Sequence, residues 1–139
     1  MKTVFVDSAY WIAIVCPGDQ WAPSAKAARD RLGSVLKVTT DEVLTEFLTA
    51  LGGYGPKLRR AAARMVRAIL SDPNVSVIPQ TRSGFLDGLR RYENRQDKRY
   101  SLTDCISMNV MESHSLSEVL TNDHHFEQEG FTVLMKEGG

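Results

Sequence analysis

Four acidic residues are placed where carboxylates do chemistry: Asp7 closes the apolar run Val4–Val6, Glu46 lies in a helical segment, Asp104 opens another, and Asp123 follows a short apolar stretch. Carboxylates brought within a few ångströms of one another repel and resist joint ionisation, so their convergence implies a cation among them. Oxygen donors without Cys or His at suitable spacing favour a hard ion, Mg²⁺ or Mn²⁺. Each acid also has a purely structural reading. Asp7 stands where a helix from Ala9 would take its N-cap. Ser101 to Asp104 fits the capping box S-x-x-[DE]. Asp123 is suited to a turn with Asn122. Glu46, like Glu42, projects away from the centre of its helix's apolar stripe, as a solvated residue does.

The elements that must position these acids follow from periodicity. Val4, Phe5 and Val6 are β-formers without polar alternation, the pattern of a strand buried on both faces of a parallel sheet. In such sheets the site gathers beyond the carboxyl ends of the strands, where Asp7 stands. Helices are predicted over 9–15, 21–32, 41–51, 57–70, 81–93 and 103–114, and further strands over 35–39, 75–78, 118–121 and 131–135, with Asp123 in a turn before the last. Val43, Leu44, Phe47, Leu48 and Leu51 make the widest apolar stripe. Strands separated by helices predict an α/β sandwich with a mainly parallel sheet of four to five strands. No repeat or linker divides the chain, so residues 1–139 are expected to form one domain.

With 42% hydrophobic and 24% charged residues, the composition is that of an ordinary soluble domain. No signal-type leader or bilayer-length apolar run is visible, so a cytoplasmic protein without membrane association is expected. Cys16 and Cys105 lack paired-motif spacing and read as free thiols. The formal net charge is zero, so no overall field draws the molecule to nucleic acid. Basic residues nonetheless cluster. Arg60, Arg64 and Arg67 share one helical face, and Arg91 and Arg95 another; each reads either as a solvated face or as a track for phosphates. His114, His124 and His125 read as surface or packing residues, since adjacent histidines on a turn do not readily face one cation.

Taken together these segments resemble a PIN domain, nearest to VapC-type toxins of toxin–antitoxin pairs. The resemblance spans nearly the whole chain. It rests on Val4 to Ser8, on Val43-Leu44-Thr45-Glu46, on Asp97 to Cys105, and on Leu120-Thr121-Asn122-Asp123 with Phe126, Gly130 and Phe131. It implies a three-layer α/β/α fold and a Mg²⁺- or Mn²⁺-dependent endoribonuclease whose acidic site is Asp7, Glu46, Asp104 and Asp123. Asp7 and Asp104 match the positions nearest the metal; Glu46 and Asp123 bind it directly or through water. Ser8 and Thr121 match polar residues that orient the acids, and Asp97 matches an accessory acid. Glu42, one turn from Glu46, is the alternative if the register differs. The resemblance also implies an RNA substrate, a small antitoxin partner and a homodimer; the apolar ground near Trp11, Ile12 and Trp21 would take the antitoxin, while the two tryptophans read equally as core.

The rival readings differ in what they need. A phosphatase with Asp7 as covalent nucleophile wants a second acid at position 9, which is Ala9. A receiver-like signalling module wants an acid at the end of the third strand, which closes on Pro79. A PIN-like module that binds RNA or protein without cutting needs nothing the sequence lacks.

Overall fold

Strand β1 (Thr3–Val6) sets the frame in the computed structural model, which describes residues 1–136. Val4, Phe5 and Val6 are fully buried, as a run without polar alternation requires. The chain continues through α1 (Ser8–Val15), α2 (Ala22–Leu32), β2 (Leu36–Thr40), α3 (Asp41–Gly52), α4 (Pro56–Ser71), β3 (Val75–Ile78), α5 (Arg82–Glu93), α6 (Leu102–Ser113), β4 (Glu118–Leu120), α7 (His125–Gln128) and β5 (Thr132–Val133). All strand pairs are parallel and the order is β3-β2-β1-β4-β5. The chain therefore builds outward from β1 in one direction, then returns to build in the other. Right-handed crossovers in opposite directions place their helices on opposite faces, giving a three-layer α/β/α sandwich. The return also makes the carboxyl ends of β1 and β4 a topological switch point, the crevice where ligands settle in such sheets.

Most boundaries lie where the sequence pattern places them. The last predicted strand is assigned over two residues only, yet Leu134 and Met135 still donate their amides to the Val119 and Thr121 carbonyls. One element was not anticipated. The single-turn helix α7 follows the Asp123 turn, started by Asp123 Oδ1 accepting the His125 amide at 2.9 Å.

Trp11 does not form surface ground for a partner. It is core, 4% exposed, with its ring edge-on to Tyr10, while Ile12 and Trp21 are half-buried against the same core. Trp11 therefore offers a partner little surface: it shares a small recess with Arg29 of α2 and Met65 and Ile69 of α4. Among the described residues no helix is long and apolar enough to cross a membrane.

Helices α5 and α6 meet closely at buried Gly88, where a Cβ would fall 2.5 Å from Ile106 Cγ1. Gly88→Ala is expected to lower stability by about 1–2 kcal/mol, because an overpacking cost of up to about 3 kcal/mol outweighs the ~1 kcal/mol gain in helix propensity. Urea unfolding checks this, and an unchanged or higher midpoint would contradict so tight a contact.

Candidate metal centre

Asp7 directly follows β1, and Thr121 directly follows β4. Pairing of those strands, extended by the Asp7 amide donating to the Leu120 carbonyl, puts the two side chains together. Thr121 Oγ1 donates to Asp7 Oδ2 at 2.8 Å and accepts the Asp123 amide at 3.2 Å. Asp7 sits at the N-cap position of α1, yet its carboxylate makes no capping bond. Local capping is thus not its role.

Asp104 fulfils its structural reading and faces the cleft as well. Its amide donates to Ser101 Oγ and its Oδ2 accepts the Ser101 amide, a complete capping box. The box orients the carboxylate at the head of α6. Carboxylate oxygens of Asp7, Asp104 and Asp123 all lie within 4.8 Å of one another. Glu46, outside that close group, lines the same cleft because α1 packs on α3. Ser8 Oγ donates to Glu46 Oε1 at 2.5 Å, holding a half-buried side chain that the helix pattern read as solvated. Glu42 lines a separate groove with Gln80, Thr81 and Phe85. The cleft of about 430 Å³ is lined by Asp7, Ser8, Glu46, Ser101, Asp104 and Asp123 among others. Asp97 is not among its lining residues; it is exposed and pairs with Lys98.

The electrostatics follow from this crowding. Burial above all pushes the Asp7 carboxyl up to about 7, helped by the charges of Asp104 and Glu46 and opposed by the Thr121 hydrogen bond. Burial also raises Asp104, with Asp123 adding to the effect. Asp7 Oδ1 is buried without any hydrogen-bond partner. A buried, unpartnered carboxylate oxygen beside two further carboxylates is a costly arrangement unless a cation completes it. The donor set is oxygen-rich and partly open, which fits a hard dication.

Two histidines enter that sequence reasoning left outside. His124 lines the cleft, and His125 Nδ1 lies 3.1 Å from Asp123 Oδ1 and 3.6 Å from Asp104 Oδ2. Their nitrogens and an Asp123 oxygen also lie within 4.8 Å of one another. The turn of α7 makes this possible, and the signal was the Asx-type start at Asp123.

The basic pair Arg91 and Arg95 is tied into one ion-pair network, with Arg91 buried and Arg95 left partly exposed. Arg91 Nη1 donates to Glu129 Oε1 at 2.6 Å, Arg91 Nε to Asn109 at 2.8 Å, and Arg95 Nε to both Glu129 oxygens. Tyr100 OH completes the set on Glu129 at 3.0 Å. Arg60, Arg64 and Arg67 are exposed on α4.

No family model and no curated relative matches the chain. Among solved structures it is similar to the crystal structure of VapC20 from Mycobacterium tuberculosis, a toxin that cleaves the sarcin-ricin loop, with a TM-score of 0.82 and 24% identity. The match covers 93% of this chain and 96% of VapC20. The two proteins share one fold, the α/β/α architecture that the resemblance to PIN domains implies.

Proposed function

We propose that this protein is a metal-dependent endoribonuclease of the VapC type, a single PIN-like domain over residues 1–139 that hydrolyses RNA phosphodiester bonds as the toxin of a toxin–antitoxin pair. The observation that carries this reading is the convergence of Asp7, Asp104 and Asp123, with a buried oxygen of Asp7 left unpartnered at the switch point of the sheet. Glu46 belongs to the same acidic site by its place in the cleft. A bound Mg²⁺ or Mn²⁺ supplies an activated water and neutralises charge developing on the phosphate and the leaving oxygen.

The chain's own residues hold the donors in place. Thr121 fixes Asp7, the Ser101 amide fixes Asp104, the His125 amide fixes Asp123, and Ser8 fixes Glu46. No side chain is needed as a covalent nucleophile. A neighbouring groove of about 530 Å³, lined by Tyr92, Arg95, Lys98, Arg99 and Tyr100, offers cations and aromatic rings to a polyanion. Its Tyr100 precedes Ser101 of the acidic cleft, and the Tyr100 ring packs edge-on against His125 at 5.3 Å. A homodimer is supported by the exposed apolar stripe Phe85, Leu86, Leu89 and Tyr92 on α5. The small antitoxin partner follows from the VapC-type reading.

Incubation of the purified protein with structured RNA in Mg²⁺ or Mn²⁺ tests the reading. Cleavage is expected with either ion, and is expected to vanish with EDTA and in Asp104→Asn. Cutting that survives both would remove the metal site, and binding without cutting would favour a non-catalytic module. Ser8→Ala, which frees Glu46, should slow cleavage by on the order of tenfold while leaving the unfolding midpoint nearly unchanged, the pattern of an outer-shell partner. Equal rates in both proteins would detach Glu46 from the site.

A further inference from the structure

Among the described residues four buried side-chain polar atoms lack a hydrogen-bond partner, and two of them, Asp7 Oδ1 and His125 Nδ1, belong to the acidic cluster. The carboxylate site accounts for the first. The second needs its own explanation. His125 opens α7, and its ring is braced by Tyr100, which is itself anchored on Glu129. Nδ1 lies 3.1 Å from Asp123 Oδ1 and 3.6 Å from Asp104 Oδ2, yet forms a hydrogen bond with neither. Ligands of an octahedral ion at about 2.1 Å lie about 3.0 Å apart along an edge and about 4.2 Å apart across the centre. Both separations fall between those two values, so one ion at bonding distance can bridge Nδ1 to either oxygen.

We infer that His125 supplies Nδ1 to the cation held by Asp104 and Asp123, so that a mixed nitrogen and oxygen donor set selects Mn²⁺, or another first-row transition dication, over Mg²⁺. This rests on the metal-centre reading above and deepens it by naming the ion class. Imidazole is a borderline donor that suits transition ions, whereas Mg²⁺ prefers carboxylate, carbonyl and water oxygens. Tyr100 and Glu129 serve as the outer support that fixes a ligating ring. His124 is exposed, and its ring contact is with His125 at 4.7 Å. The competing arrangement is an imidazolium paired with the two aspartates, which would stand where the cation belongs.

Titration of the full chain with Mn²⁺ and with Mg²⁺, followed by calorimetry and by pulsed EPR of bound Mn²⁺, separates these cases. Wild type should show a directly bonded ¹⁴N coupling. His125→Phe, which keeps a ring against Tyr100, should lose the coupling and weaken Mn²⁺ binding by on the order of tenfold or more, the loss that even outer-shell partners cause. Its Mg²⁺ affinity should change far less, and His114→Ala, at the exposed end of α6, should match wild type. Bound Mn²⁺ without nitrogen coupling, coupling that persists in His125→Phe, or tighter Mn²⁺ binding in that variant would each overturn the inference. Should His125→Phe fail to fold, the wild-type spectrum alone decides. Wild type that binds no Mn²⁺ would defeat the metal-centre reading as well; binding that needs Asp104 but shows no nitrogen would defeat only the role of His125.

Discussion

Asp7→Asn is expected to abolish RNA cleavage and yet, in the absence of metal, to stabilise the fold at alkaline pH. The carboxyl is 5% exposed, one oxygen has no partner, and burial pushes its pKa up to about 7 from an ordinary 3.8. A folded-state pKa above the unfolded one means that the native state holds the proton more tightly. Below about pH 4 the group is protonated in both states and costs nothing. Stability is lost as pH rises from about 4 to about 7, and above that the full penalty applies. A shift of about three units corresponds to an upper figure of about 4 kcal/mol.

Asparagine has nearly the same shape and no charge, so the variant escapes that penalty. In EDTA, the variant-minus-parent stability should be near zero at pH 4 and reach a few kcal/mol by pH 8. Saturating Mn²⁺ or Mg²⁺ should reverse the order at pH 8, because the ion stabilises only the form that binds it. Cleavage should fall by on the order of a hundred- to a thousandfold, as when one preorganised electrostatic group is removed. Urea titrations at several pH values check the first part. A difference independent of pH would show that the Asp7 charge is not what costs stability.

The second large effect is expected away from the cleft. Glu129→Ala should destabilise the protein toward the lower end of the about 3–5 kcal/mol that breaking a buried ion pair costs, because it removes the buried one of the two carboxylates that Arg91 pairs with. The side chains of Arg91 and Glu129 are 9% and 10% exposed. Without Glu129, Arg91 keeps Asn109 and the exposed Glu112, and Tyr100 loses the acceptor of its hydroxyl. Burial alone would raise the Glu129 carboxyl, but its hydrogen bonds from Arg95 and Tyr100 prevail and lower it. A depressed pKa gives stability above the unfolded value that is lost as pH falls through the folded one. The cost of Glu129→Ala should therefore shrink in acid. Glu129→Gln, which keeps an acceptor, should cost less than Ala. A loss under about 1 kcal/mol at neutral pH would place the group among ordinary surface pairs.

How much was legible depended on the range of the forces involved. The strand Val4–Val6, the stripe of α3 apart from the exposed Leu48, and the capping box at Ser101 and Asp104 are written in neighbouring residues, and all are present in the folded chain. Asp104 shows the limit. Its two readings looked like rivals, but one oxygen serves the helix start while the same carboxylate faces the cleft. Arg91 and Arg95 read as a solvated face or a phosphate track because the partner that ties them down, Glu129, is remote in sequence.

The sequence by itself determined the α/β class, the identity and order of most elements, and the acids Asp7, Asp104 and Asp123 as candidates. Apolar periodicity, capping and turn chemistry act within about one or two helical turns and need no knowledge of the rest of the chain. Only the tertiary structure decided which acids meet. Parallel pairing of β1 with β4 brings Asp7 to Thr121 and Asp123; the packing of α1 on α3 presents Glu46, not Glu42, to Ser8; and the turn of α7 swings His125 over the aspartates. Those contacts depend on strand order and helix rotation, which are set by the burial of the whole core rather than by any one segment.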